Sequence, residues 1–374
     1  MKRRNHYRAL LALQRISDLG LRRIKLLLDK SGVDNASDLF RLKMRDFLRI
    51  DGIGETVAKN ITAFKGWDEA DAILDKTEKL GAGLVAIDDE DYPGYLRHIY
   101  DPPVLLWIKG DRNVLDKDGV AIIGTRRPSV YGMEQAEQWA IKLSEAGLCI
   151  NSGLAYGVDT IAHKSTLKAG GKTVAVLGSG IDVIYPAKNK PIADRIIENS
   201  GAVITEYPPG TAPDAVNFPG RNRIVSGMSR GVLVIESGIK GGSMITARYA
   251  LDQNREVFVI PHPLNYARGK GCNYLIKTGQ GKLVQNPTDI YEEISIHSEV
   301  NAKQTVSAAS KKWESLELGQ QGKDICLILT RGDLHIDQLC EETGKPTYQL
   351  LPLLLELEML GVVRQKAGKY FGLC

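Results

Sequence analysis

The sequence predicts an α/β fold: a parallel sheet covered by helices on both faces, with a smaller helical domain before it and another small domain after it. Three observations predict this. Six apolar runs, VAIIG (120–124), GLCIN (147–151), TVAVLG (173–178), AVITE (202–206), GVLVIE (231–236) and EVFVI (256–260), do not alternate with polar residues, as befits strands buried on both faces. Stretches such as MEQAEQWAIKLSEAG (133–147) separate them and suit crossover helices. Glycines and cations gather just after the runs, where sheets of this kind bind ligands. Together they indicate a Rossmann-like domain whose strands and helices alternate from about residue 112 to 290.

At 374 residues the chain is too long for one ordinary core and predicts two or three domains. Hydrophobic residues make up 43% and charged residues 25%, a soluble mixture and not a disordered one. Cys149, Cys272, Cys326, Cys340 and Cys374 form no C-x-x-C pair, which argues against a disulfide framework and a structural zinc site. The opening MKRRNHYRALLALQRI is basic but never becomes a continuous apolar run. Neither a signal peptide nor a spanning segment is expected, so the expected location is cytoplasmic, with no membrane partner.

Residues 1–65 hold fifteen Lys/Arg against seven Asp/Glu, while the whole chain nets only +4. That surplus fits a nucleic-acid surface and equally an ordinary basic one. Residues 1–80 read as a helical domain. LLALQRISDLGLRRIKLLLDK carries apolar positions at helical spacing, broken by Gly20. In DGIGETVAKNI, Gly52 and Gly54 flank Ile53 at a tight turn between helices, a helix-hairpin-helix (SAM-like) pattern. Asp51 and Glu55 beside it would repel phosphate, so a structural or dimerising role stands beside DNA contact.

Five strand-end loops follow. In GTRRPSVYG (124–132) Gly124 permits a sharp turn, the amides around Thr125 and Ser129 are placed to face an anion, and Arg126 and Arg127 offer forked donors to phosphate or to a strand-end carboxylate. In NSGLAYGVDTIAHKSTLKAGG (151–171) Ser152-Gly153 follows a strand, and a helix sets Asp159 and His163 four residues apart. No third ligand stands at zinc spacing, and no metal is expected. The pair reads either as a general base or as a framework in which His163 fixes Asp159.

In VLGSGIDVIYPAKNK (176–190) the Gly178-x-Gly180 turn lacks a third glycine, Val183 standing in its place, and Tyr185-Pro186 interrupts a helix. Dinucleotide binding is therefore not expected, and no cofactor is. What remains is a glycine turn for an anion, Tyr185 as a stacking surface or a core aromatic, and Lys188, Asn189 and Lys190 on the rim. In the 204–236 segment the stiff YPPGTAP loop loses little entropy on binding. Phe218-Pro219 then delivers Arg221, Asn222 and Arg223 at a helix start, where cations call for phosphate or a carboxylate such as Glu206 or Glu236. Finally Gly242-Ser243 opens a helix as another amide nest, with Thr246 one turn on. So many anion cradles along one sheet edge exceed the needs of one small nucleotide. They suit a polymer, a strand of DNA or RNA.

Residues 295–320 are polar without a clean period and read as a linker. Residues 321–374 give three helices and a small hairpin, VVRQ and KYFGL, the elements of a winged helix. Its third helix, from Thr347 to Leu360, carries Glu356 and Glu358 and no Arg or Lys, so we read this domain as an interaction or assembly module ahead of a groove reader.

The segments GTRRPS, SGLAYGVDTIAH, LGSGIDVIYP, EYPPG, FPGRNRIVSGMS, IESGIKGGSMITA and HIDQLCEETGKPTYQLLPLLLELEMLGVVRQ together resemble the bacterial DNA-processing protein A family, also called Smf, in order along nearly the whole chain. The resemblance implies an N-terminal helical domain, an extended Rossmann domain and a winged-helix-like domain. It further implies a non-enzymatic mediator of homologous recombination in natural transformation. Such a protein binds incoming single-stranded DNA, shields it from nucleases, loads the RecA recombinase and relieves inhibition by single-stranded-DNA-binding protein, working as a homodimer through its Rossmann-like domain. Carried onto this chain, the arginine of the G-[ST]-R motif is Arg126. The basic position after the Y-P turn is Lys190, with Lys188 its neighbour, and the R-N-R element is Arg221, Asn222 and Arg223. The candidate DNA contacts are then these residues with Gly124, Thr125, Arg127, Ser152, Gly153, Gly178, Gly180, Tyr185, Asn189, Phe218, Gly242 and Ser243, supported by Asp159, His163, Glu206, Glu236 and Thr246.

The rival reading is an N-glycoside hydrolase acting on nucleotides, with Asp159, His163, Glu206 and Glu236 activating water. Enzymes of that type carry P-G-G-x-G-T-x-x-E. Here Tyr249 stands three residues past Thr246, where the glutamate belongs. A non-binding oligomeric scaffold is a third class.

Overall fold

The computed structural model describes residues 2–33, 35–294, 313, 318–366 and 370–373. Residues 1–290 form one compact unit and 291–374 a second. The expected linker, 295–320, lies mostly outside the described residues.

All six apolar runs form strands, because each can bury both faces in the middle of one sheet. That sheet contains β1 (Gly83–Ala86), β2 (Leu105–Gly110), β3 (Gly119–Ile123), β4 (Cys149–Ser152), β5 (Thr173–Val176), β6 (Ala202–Thr205), β7 (Gly231–Val234), β8 (Glu256–Val259) and β9 (Lys282–Leu283). Its order is β1-β2-β6-β5-β4-β3-β7-β8-β9. Strands β3 to β9 are parallel, whereas β2 pairs antiparallel with β6, and β1 with β2. The sheet is thus mixed at one edge, an extension the six runs did not announce.

Helices α1 (Lys2–Gln14), α2 (Leu21–Lys30), α3 (Ala36–Leu39), α4 (Met44–Phe47), α5 (Glu55–Thr62) and α6 (Trp67–Lys79) precede the sheet, and α7 (Gly94–Arg97) joins β1 to β2. Between successive parallel strands lie α8 (Val130–Glu145), α9 (Val158–Lys168), α10 (Lys190–Glu198), α11 (Asn217–Gly227) and α12 (Gly242–Asp252). Then come α13 (Lys270–Lys277) and α14 (Thr288–Glu293). Strand order reverses at β3, which lies between β4 and β7. The loops after β3 and β7 therefore diverge and leave a crevice at the carboxyl ends.

The N-terminal cations are largely neutralised at home. Residues 66–91 hold nine Asp/Glu and two Lys. Arg8 in α1 grips Asp71 in α6 with two hydrogen bonds, 2.7 and 2.5 Å. Arg4 binds Asp75 at 2.5 Å and also Glu78, Arg15 pairs with Glu69, and Arg3 with Asp89 at 3.1 Å.

The second unit contains α15 (Gln320–Leu329), β10 (Leu334–His335), α16 (Ile336–Thr343), α17 (Thr347–Met359), β11 (Val363–Lys366) and β12 (Tyr370–Leu373). The strands pair antiparallel in the order β10-β12-β11, and Ile325, Leu329, Leu339, Leu350, Leu354 and Phe371 fill the core. Three helices with a small sheet make this a winged-helix domain, β10 being its added strand. On α17, Tyr348, Leu355 and Met359 are exposed.

Candidate nucleic-acid interface

An open cleft of about 690 Å3 occupies the crevice. It gathers ten of the candidate contacts, Gly124, Thr125, Arg126, Gly153, Tyr185, Phe218, Arg221, Asn222, Gly242 and Ser243, along with Asp159 and Thr246. Arg127, Ser152, Gly178, Gly180, Lys188, Asn189, Lys190 and Arg223 do not line it, nor do His163, Glu206 and Glu236. Pro213, Pro219 and Ile245 also line the cleft. The two prolines belong to the stiff segments the sequence marked, and Ile245 carries no such mark.

Aromatic rings organise one wall. Tyr185 and Phe218 lie 5.5 Å apart between centroids, tilted by 42°. The guanidinium of Arg126 stands 5.9 Å from the Phe218 ring, and that of Arg221 at the same distance. These two arginines differ in every other respect. Arg126 is exposed, and among the described residues no carboxylate pairs with it. Arg221 is buried, donating to the Gly153 carbonyl at 2.6 Å and to the Val176 carbonyl. Burial pulls its pKa down to about 10 against the opposing pull of Asp159. Burial likewise pushes the Asp159 carboxyl up, opposed by Arg221 and by the Ala155 and Gly153 amides. Gly153 is required here: a Cβ would lie 2.5 Å from the Arg221 guanidinium.

Several expectations need correction, for one shared reason: resident groups already occupy the donors. The Thr125 amide donates to the Glu236 carbonyl at 2.8 Å, and the Ser129 amide to the Glu236 carboxylate at 3.2 Å. The Gly153 amide donates to Asp159 at 3.1 Å. In the Gly178-x-Gly180 turn the Gly180 amide donates to the Thr211 carbonyl at 2.9 Å. Gly178 there leaves room for the Phe218 ring, 2.9 Å from where its Cβ would be. These turns are internal joints, not free anion seats. Helix α12 differs. The Met244 amide donates to the Gly241 carbonyl at 3.0 Å, but among the described residues the amides of Gly242 and Ser243 find no acceptor, as at a helix start, and both residues face the cleft.

Side chains outside the cleft are engaged too. Asn189 is buried and donates to the Leu154 carbonyl and Thr160 Oγ1, both at 2.8 Å, so it braces the loop and does not lie on the rim. Arg223 takes the carboxylate option, pairing with Glu206 at 2.5 Å and Asp101 at 3.1 Å. Burial pushes the Glu206 carboxyl up, with Arg223 opposing. Lys188 and Lys190 are exposed, and Lys190 pairs with Asp194 at 2.8 Å.

His163 does not fix Asp159. Its Nδ1 meets Thr173 Oγ1 at 2.7 Å, and that hydroxyl donates to the Ile150 carbonyl at 2.5 Å. The hydroxyl's one proton is thereby committed, so Nδ1 must donate. Nε2 is buried without a partner, and burial lowers the ring's pKa to about 3. The four groups considered for water activation therefore do not assemble: Asp159 lines the cleft, His163 turns to Thr173, Glu206 to Arg223, and Glu236 to Ser129 and Tyr266. Among the described residues no cluster of three or more His, Cys, Asp or Glu could hold a metal, and no helix is long and apolar enough to cross a membrane.

The chain matches two family models: DNA recombination-mediator protein A over residues 83–295, and the DprA winged helix domain over 317–369. It is 36% identical to protein Smf of Escherichia coli over 291 residues, 77% of this chain and 76% of that one. Its fold is similar to the X-ray structure of DNA processing protein A from Streptococcus pneumoniae, with TM-score 0.65 and 36% identity over 78% of this chain and 99% of that one. A Helicobacter pylori DNA processing protein A, solved for its single-stranded DNA binding mode, matches with TM-score 0.51 and 32% identity over 60% of this chain and 96% of that one.

Proposed function

The chain belongs to the DNA recombination-mediator protein A family, and from that premise we propose that it holds single-stranded DNA in the strand-end cleft without covalent chemistry. One observation carries this reading: the exposed guanidinium of Arg126 stands over the Phe218 ring, which packs against Tyr185, in a cleft that the start of α12 also lines. Arg126 and the first amides of α12 take backbone phosphates, and the rings take bases. Duplex DNA, whose bases already stack on each other, binds less well. The H. pylori relative's single-stranded DNA binding supports the choice of ligand.

In this reading the protein receives DNA in natural transformation, protects it from nucleases and loads RecA onto it while relieving single-stranded-DNA-binding protein. It does so in the cytoplasm as a homodimer through the Rossmann-like domain. Residues 1–80, 81–294 and 321–374 act as its three domains, with 295–320 as linker.

The test is affinity for oligonucleotides of several sequences across a salt series. Arg126→Ala weakens binding similarly for all of them and lowers the salt slope by about one counterion. An unchanged affinity and slope removes Arg126 from the phosphate path.

A further inference from the structure

The loop bearing Arg126 is built around a buried negative charge. Glu236 is fully buried just past β7, packed beside Gly124 at the end of the neighbouring strand β3. Its main-chain oxygen accepts from the Thr125 amide at 2.8 Å. Its carboxylate accepts from the Ser129 amide at 3.2 Å, the Ser129 hydroxyl at 2.5 Å and the Tyr266 hydroxyl at 2.9 Å. Ser129 caps α8, its Oγ accepting from the Gly132 amide at 3.0 Å. Gly132 is needed, since a Cβ there would lie 2.4 Å from the carboxylate. The Glu236 carboxylate therefore sits beside the first turn of α8, where the unpaired amides and helix dipole favour an anion. Two further bonds hold the loop: Val158 N–H donates to the Thr125 carbonyl at 3.2 Å and Arg268 to the Arg127 carbonyl at 3.0 Å. Arg126 projects between these fixed points.

We propose that Glu236, backed by Tyr266, is a positioning residue for DNA binding: an internal stand-in for phosphate that fixes residues 125–129 and presents Arg126 in its bound orientation before DNA arrives. The proposal rests on Arg126 being a DNA contact. Without the carboxylate, the half-buried donors of Ser129 and Tyr266 lose their acceptor. The loop must then order itself at the moment of binding, which weakens affinity.

The experiment is a double-mutant cycle on the full chain, reading oligo-dT affinity by fluorescence anisotropy, with melting temperature measured alongside. Tyr266→Phe removes a single hydroxyl, and Glu236→Gln removes the charge while keeping the shape. With Arg126 present, binding falls about threefold for Tyr266→Phe and about tenfold for Glu236→Gln. In the Arg126→Ala background both losses shrink to less than about twofold, because there is no longer an arginine to position. Equal losses in both backgrounds reject the positioning role while leaving the cleft reading intact. An Arg126→Ala variant that binds like the parent overturns both. If Glu236→Gln melts too early to bind, Tyr266→Phe decides alone.

Discussion

Arg8 in α1 and Arg126 after β3 belong to the same compact unit, and each guanidinium lies over an aromatic ring, Trp67 at 4.6 Å and Phe218 at 5.9 Å. The difference is in their forks. Asp71 fills that of Arg8 with two bonds, whereas among the described residues no carboxylate pairs with the exposed Arg126 fork. The contrast extends to their regions: the N-terminal helices meet an acidic segment that cancels most of their surplus, and the cleft holds an exposed arginine that no carboxylate among the described residues pairs with. What a cation can bind depends on the carboxylates that folding brings to it, and a charge count along the chain does not reveal those.

The largest expected effect comes from reversing the two charges. Arg126→Glu lowers single-strand affinity about a hundredfold at low salt. Arg8→Glu leaves affinity within about twofold and instead destabilises the fold by about 1 kcal/mol through the lost Asp71 pair, which is partly exposed. Anisotropy titrations and urea unfolding on both variants measure this. Equal losses of affinity would dissolve the contrast.

Acid probes the α/β region by another route. His163 in α9 is buried, with its Nδ1 on Thr173 Oγ1 at 2.7 Å. The folded pKa of His163 is about 3 against 6.5 ordinarily. Its contribution is thus present above pH 6.5 and lost as pH falls toward 3, because the unfolded chain binds a proton that the fold refuses. Across that window its share of the stability drops by about 1.4 kcal/mol per pH unit. Asp159, raised by burial, acts with the opposite sign, since the fold holds its proton more tightly. The difference between wild type and His163→Gln in urea midpoints from pH 7 to 4 isolates the histidine. A difference that does not change with pH would mean the ring titrates freely.

The smallest effect sharpens the rule on the rim. Lys188→Ala weakens binding about threefold, and Lys190→Ala, whose ammonium already has Asp194, less than about twofold. The reverse order, in the same anisotropy assay, would show that an exposed pair such as Lys190–Asp194 opens readily for phosphate.

The middle of the sheet was legible because strands such as Val232–Val234 and Val174–Val176 bury every side chain and so read as unbroken apolar runs. Strand β9, two residues long, is too short to show a period. In β2, Leu105–Ile108 are buried alike, so nothing in them reveals an antiparallel edge. Within the site, Arg126, Phe218 and the α12 start were legible from their place after strands. The engagements of Ser129 and Asn189 were not, since their partners Glu236 and Leu154 lie 107 and 35 residues away, whereas Arg223 took Glu206, one of the acceptors the sequence offered. A sequence pattern shows that a donor exists but not which distant acceptor has already claimed it.

The carboxylate at the head of α8 bears on any attempt to borrow this loop. Grafting GTRRPS onto another sheet would carry over the letters but not the shape, because the shape belongs equally to a glutamate on a neighbouring strand and a tyrosine some thirty positions beyond it. The transferable unit is the trio of loop, acid and hydroxyl.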